Sequence, residues 1–179
     1  AMARAEDREQ ALRQQTVDLA ALVREVVAGL HTAGAGGAPE VVVDVPPDGP
    51  LVWVDPTRVR LLLRNLLYNS LRHAAGAARP PEVAVAWTAQ GLAAPAIEVV
   101  VRDHGPGVPD DQLSKLSQAF HRPDSARTRS AGGVGLGLYL CRLVAQAHGG
   151  TLSLSNAQPG LRVVVSLPLL KSPQGLRAR

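Results

Sequence analysis

Three short stretches of this 179-residue sequence hold groups that could manage a polyanionic, metal-bound ligand. In the first, Asn65 and Asn69 stand four residues apart, with Arg72 and His73 one turn further on. Helical spacing would line all four along one face. Carboxamide oxygens suit a hard cation such as Mg2+, and arginine supplies fixed positive charge for phosphate. The same four residues would also serve as surface amides beside a solvated arginine. In the second, Asp103-His104-Gly105-Pro106-Gly107 follows a strand-like run. A carboxylate at a strand end can accept a hydrogen bond from an exocyclic amine, and glycines let the backbone approach a flat ligand. A common Asp/Gly/Pro turn leaving a strand has the same composition.

The third stretch is Gly132-Gly133-Val134-Gly135-Leu136-Gly137-Leu138, entering a helix-favouring segment. Unhindered N–H groups at a helix start attract anions; a flexible hinge would look similar. Two familiar phosphate loops do not fit. There is no lysine for a P-loop, and Leu138 and Leu140 stand where the dinucleotide fingerprint has its last glycine. No acidic residue follows to hold a ribose. Between the second and third stretches lies Phe120-His121-Arg122, and beyond it Arg127 and Arg129 either close over a triphosphate or decorate a loop.

The elements that must position these groups can be read from periodicity. Residues 4–15 are polar and read as an exposed helix. Leu19, Leu22, Val23, Val26, Val27 and Leu30 recur at helical spacing and end at the Gly-rich 34–37. Strand-like runs at 41–45 and 51–54 flank a turn at 46–50. Asp55-Pro56 reads as N-cap and first-turn proline of a helix to about residue 75. Runs at 82–88 and 96–103 predict neighbouring strands, 110–119 a short helix, and 135–148 a helix stopped by Gly149-Gly150. Residues 151–155 and 161–167 predict a closing hairpin. This order implies one mixed sheet covered on one face by helices, without the strict βαβ alternation of a doubly wound fold.

Composition narrows the class. Apolar residues make up 46% and aromatics 3%, so the core should be Ala, Val and Leu. The single cysteine, Cys141, excludes an internal disulfide or a cysteine metal cluster. No apolar run is long enough to span a membrane, and the charged opening does not read as a signal peptide. Residues 1–124 carry 12 basic and 15 acidic side chains, whereas 125–179 carry seven basic and no acidic ones. Nucleic-acid binding would interleave that charge with aromatics, and aromatics are scarce here. We expect 1–17 to be a helical stump or linker, 18–170 the functional domain, and 171–179 a disordered tail.

In order and separation, the motifs resemble the N, G1, F and G2 boxes of the ATP-binding domain of bacterial sensor histidine kinases. That domain belongs to the GHKL superfamily, with gyrase-type and MutL-type ATPases, and the resemblance covers about residues 18–168. Residues 65–73 are similar to the N box, 103–107 to G1, Ala119-Phe120-His121-Arg122 to the F box, and 133–138 to G2. The resemblance implies a Bergerat ATP-binding fold: an α/β two-layer sandwich whose mixed, mostly antiparallel sheet carries about three helices on one face. It also implies that Asn69, supported by Asn65, binds Mg2+, that Arg72 reaches phosphate, and that His73 lies near the nucleotide. Asp103 would bond the adenine amine beside Gly105 and Gly107. A lid would span 120–134 with Phe120 and Arg122 at its start. Gly133, Val134, Gly135, Leu136, Gly137 and Leu138 would meet the phosphates.

Hydrolytic members of the superfamily usually carry glutamate four residues before the N-box asparagine, as a general base. Here that residue is Asn65, which favours transfer to a histidine that attacks with its own lone pair. Gln118-Ala119 replaces a commoner Glu-Pro, and Leu161 stands where threonine often follows the last loop's glycine. An acceptor histidine is normally followed by an acidic residue and, a turn later, proline. None of His31, His73, His104, His121 and His148 has that sequel. The expectation is a chain that binds Mg-ATP without phosphorylating itself. Its partners would be a histidine-bearing dimerisation domain and, indirectly, a response regulator. Neither nucleic acid nor membrane contact is expected. The resemblance points to a cytoplasmic domain of a bacterial inner-membrane sensor.

Overall fold

The computed structural model describes residues 11–32, 40–88, 96–118 and 137–169. Along the chain these form β1 (Gln15–Asp18), α1 (Leu19–Thr32), β2 (Val42–Asp44), β3 (Leu51–Val54), α2 (Pro56–His73), β4 (Glu82–Thr88) and β5 (Ala96–Arg102). There follow α3 (Asp110–Leu113), α4 (Gly137–Ala147), β6 (Thr151–Asn156) and β7 (Leu161–Pro168).

Five strands make the main sheet in the order β2-β4-β5-β7-β6. Only β2 and β4 run parallel; the other pairs are antiparallel. Register separates the two faces. Val101 lies between Val83 and Val163, Val99 between Val85 and Val165, and Ile97 opposite Leu167. All of these are buried except Trp87 at the same face's outer end, which is 59% exposed. The alternate positions bring together Glu82, Arg102, Arg162 and Ser155, a polar row on the opposite face. The polar row suits a sheet with one covered face, although Val100 and the buried Val164 share the opposite face. The helices α1, α2 and α4 cover the apolar side, giving the α/β sandwich expected from the element order.

One strand departs from that expectation. β3 does not join the main sheet but pairs antiparallel with β1, Thr16 opposite Trp53 and Val17 opposite Val52. The helix read as following Thr16 begins at Leu19, because Asp18 ends the strand and its Oδ1 accepts a hydrogen bond from Ala21 N at 2.9 Å. Residues 15–18 are thus a strand, not part of a helical stump. The helix expected over 110–119 is regular only to Leu113, after which turns continue to Ser117. Its apolar content, Leu113 and Leu116, satisfies one short contact with the core and no more.

The apolar stripe of α2, Val59, Leu62, Leu63, Leu66 and Leu67, is buried throughout. It meets Leu138, Cys141 and Ala145 of α4, whose two small residues allow close approach. The Cys141 thiol reaches Leu62 O at 3.4 Å, and burial pushes its pKa up to about 12, so it stays protonated at neutral pH. The start of α2 is held unusually well. Asp55 Oδ1 accepts from Thr57 N and Arg58 N, Oδ2 accepts from Arg13 N, and Asp55 N donates to His148 Nε2 at 3.0 Å.

Burial alone would raise the Asp55 carboxyl, but the N–H groups of Arg13, Arg58 and Thr57 and the Arg58 charge outweigh it and hold the pKa below 3.8. Replacing Asp55 with alanine should cost about 2 kcal/mol, which lowers the melting temperature by roughly 4–8 °C in a domain of this size. The sign of the pH effect follows from the lowered pKa. The carboxylate stabilises the fold above about pH 4, and this is lost as pH falls through the folded value. Thermal melts at pH 7 and near pH 3 should therefore show a wide gap between the two proteins that closes in acid.

Candidate nucleotide-binding site

The polar line on α2 runs beside its buried stripe, as the sequence spacing implies. Asn65 and Asn69 are half-buried, Arg72 is exposed and His73 is half-buried. Asn65 Nδ2 donates to Leu61 O one turn back at 3.0 Å. That bond leaves Asn65 Oδ1 facing the start of α4, where a Cβ on Gly137 would lie 3.7 Å from it. The Asn69 side chain has no hydrogen-bond partner among the described residues, so its carboxamide is available to a ligand. Burial, chiefly, holds the His73 imidazole below its ordinary pKa; Asp103 pulls the other way and Arg72 adds to the lowering. The ring is neutral at pH 7, which leaves Arg72 as the fixed positive charge on this face.

Asp103 leaves β5 on the helix-covered side and is 2% exposed. Its Oδ1 accepts from Gly105 N at 3.0 Å and from Leu161 N at 3.2 Å, and its own N donates to Leu161 O at 3.0 Å. Among the described residues Oδ2 accepts nothing. One oxygen is thus fixed by the backbone while the other keeps its acceptor capacity, which an amine could use. Burying a carboxylate is costly without such hydrogen bonds.

Glycines let three chain segments converge here. A Cβ on Gly105 would run into the carbonyl of His73, so the turn after Asp103 packs directly on the end of α2. A Cβ on Gly160 would strike the carbonyl oxygen and carbon of Asp103. Gly160 also sits at φ +89°, a conformation that favours glycine. Gly107 takes φ +70°, and Asn156 holds the loop beyond it. The Asn156 Oδ1 accepts from Val108 N at 3.1 Å, and its Nδ2 donates to Val108 O at 2.7 Å and to Asp110 Oδ1 at 2.9 Å.

The structure therefore brings Asn65, Asn69, Arg72, His73, Asp103, Gly105 and Gly137 around one region. Leu138 turns its side chain into the core at 8% exposure, so whatever it offers a ligand must come from its backbone. Phe120, Arg122, Gly133, Val134, Gly135 and Leu136 lie outside the described residues. Two contributors did not stand out in the sequence, Asn156 and Gly160. The turn 156–160 reads only as a hairpin loop, and nothing local shows that it buttresses a segment about 50 residues earlier.

Residues 54–171 match the family of histidine kinase-, DNA gyrase B-, and HSP90-like ATPases. Over 129 residues the chain is 34% identical to the signal transduction histidine-protein kinase BaeS of Escherichia coli, covering 72% of this chain and 26% of that protein. It is 30% identical over 158 residues to the probable sensor histidine kinase TcrY of Mycobacterium tuberculosis, covering 88% of this chain and 32% of the relative. The chain thus spans about a quarter to a third of the length of these two relatives. Among solved structures, full-length ShkA in complex with AMPPNP superposes with a TM-score of 0.71 at 24% identity, covering 94% of this chain and 34% of that one. The fold is shared with these proteins.

Proposed function

This chain belongs to the histidine kinase-, DNA gyrase B-, and HSP90-like ATPases, and we propose that it binds Mg-ATP and passes the γ-phosphoryl group to a histidine carried elsewhere. It is an ATP-binding catalytic domain of the histidine-kinase type, and the acceptor belongs to a dimerisation domain outside residues 18–170. The parent, on this reading, is a bacterial sensor that keeps this domain in the cytoplasm and signals onward to a response regulator.

The observation that carries the proposal is the divided role of Asp103. One carboxylate oxygen is fixed by Gly105 and Leu161, and the other accepts no hydrogen bond among the described residues. That oxygen accepts the adenine amine, and Gly105 brings the wall of the pocket close enough for a flat base. The donor set also fits a hard cation: Asn69 would hold Mg2+ with Asn65 adjacent, both through neutral oxygens. When bound, Mg2+ neutralises phosphate charge. Arg72 supplies further positive charge at the same end, while neutral His73 offers a hydrogen bond without adding to it. Phosphoryl transfer depends mainly on such positioning and charge balance. Asn65 cannot act as a general base, since a carboxamide does not take up a proton at neutral pH. A histidine acceptor needs no such base, and this favours transfer over hydrolysis.

Calorimetric titration with a non-hydrolysable ATP analogue, with and without Mg2+, tests the site. Saturable one-to-one binding that strengthens with Mg2+ is the expected outcome, and no binding in either condition would sink it. A second arm mixes the chain with a dimerisation domain bearing the histidine and with γ-labelled ATP. Acid-labile label should appear on the added domain. Label on the chain alone would refute an external acceptor, and rapid release of phosphate would point to a hydrolase instead.

A further inference from the structure

His104 directly follows Asp103 and turns the other way. Asp103 faces α2, whereas the His104 side chain, 4% exposed, places Nε2 at 2.8 Å from Glu82 Oε1 on β4. The same oxygen accepts from Arg79 Nη2 at 3.0 Å. Glu82 also lies opposite Arg102 across the β4–β5 ladder. The charged and titratable groups around the imidazole are thus Glu82 on β4, Arg79 before it, Arg102 on β5, and Asp103 alongside. His73 of α2 is pressed against the next residue, Gly105, through its backbone carbonyl.

This arrangement anchors the turn on both sides of one peptide unit. Leu161 grips Asp103 from β7, and Glu82 grips His104 from β4. Adjacent Cα atoms are only about 3.8 Å apart, so a change in the second grip is felt at the first residue. The imidazole meets a carboxylate here, and a hydrogen bond to an ionised group is roughly twice as strong as one between neutral groups. The Glu82 carboxyl is held below its ordinary range chiefly by that hydrogen bond, against the effect of burial, with the charges of His104, Arg79 and Arg102 adding to it.

We propose that His104 and Glu82 are a positioning pair for the Asp103 carboxylate, and that affinity for the adenine half of the ligand depends on the hydrogen bond between them. This rests on the reading of Asp103 as the adenine acceptor.

Adenosine is the probe, and its dissociation constant would be followed by nuclear magnetic resonance at one fixed pH. Glu82→Ala should raise that constant roughly three- to tenfold, the loss of one hydrogen bond. Glu82→Gln keeps an acceptor of the same shape and should restore most of the affinity. Unchanged affinity in Glu82→Ala would refute the pair. Inorganic triphosphate lacks the base and should bind all three proteins alike; an equal loss for both probes would mean general damage and refute positioning too. The ligand-free protein gives a separate readout, since the amides of Asp103 and Gly105 should shift in Glu82→Ala and return towards the wild type in Glu82→Gln. Amides that ignore both changes would overturn the positioning itself. Amides that follow them in a protein that binds no adenosine would overturn the adenine role and the nucleotide half of the proposal.

Discussion

Asp103→Asn should lower affinity for ATP roughly ten- to a hundredfold, the equivalent of about 1.5–3 kcal/mol for a hydrogen bond to a charged group. The expectation comes from the unequal use of the two carboxylate oxygens. Asparagine can keep its carbonyl oxygen where Oδ1 now accepts from Gly105 N and Leu161 N. Its NH2 then occupies the place of Oδ2 and faces an adenine amine that is also a donor. Two donors meet where a donor met an acceptor, while the backbone frame is kept. The variant should therefore melt close to the wild type yet bind ATP poorly. Asp103→Ala would instead leave two buried N–H groups without partners and lose stability as well. Calorimetry paired with thermal melts separates the cases, and an asparagine variant of unchanged ATP affinity would rule out this role for Asp103.

Much of this arrangement could be read locally. Asp55-Pro56 marked the start of α2, the Leu/Val stripe marked its buried face, and the glycines after His148 marked the end of α4. The α/β class followed from the order of elements. What escaped was held by distant partners. The four residues of β1 have no apolar alternation of their own, and they become a strand only by pairing with Leu51–Val54, 33 to 39 residues away. β3 reads as a strand of the single mixed sheet, and it pairs with β1 instead because that partner is not visible in the sequence. The site shows the same division. The N-box face and Asp103 announced themselves by residue type and spacing. The groups that fix Asp103, namely Leu161 and Gly160, are 58 and 57 residues away on another strand and its turn.

His148 illustrates the long-range kind of constraint. Its Nε2 faces a backbone N–H at Asp55, which can only donate, and its Nδ1 faces Val144 O at 2.8 Å, which can only accept. The partners therefore assign a neutral ring with the proton on Nδ1. The contact ties the end of α4 to the beginning of α2, and Cys141 meets Leu62 midway along the pair. At the other end, a Cβ added to Gly137 would lie 3.7 Å from Asn65 Oδ1. Among the described residues, the hydrogen bonds that tie α4 to α2 or its cap are thus those of His148 and Cys141. On the function proposed above, a phosphate group approaching the Gly137 end would meet a helix whose far end is already fixed.

Gly160→Ala should be the most damaging single methyl in the described site. Two effects combine: alanine at φ +89° is strained, and its Cβ would strike the Asp103 carbonyl. Strain of this kind costs about 1–3 kcal/mol and overpacking adds about as much, so a total of roughly 2–5 kcal/mol is expected. In a domain of this size that corresponds to a fall of roughly 5–15 °C in melting temperature. Relief can come only by moving Asp103 or the hairpin turn, and either displaces the open carboxylate oxygen. ATP binding should therefore weaken at temperatures where the variant is still fully folded. Gly76→Ala separates the two causes. Gly76 has a similar φ of +82° but nothing within 4 Å of an added Cβ. It should lose only the strain portion, about 1–2 kcal/mol, and keep its nucleotide affinity. Equal losses of stability and affinity in the two variants would mean that backbone conformation alone matters, and that the close approach of Gly160 to Asp103 has no part in shaping the site.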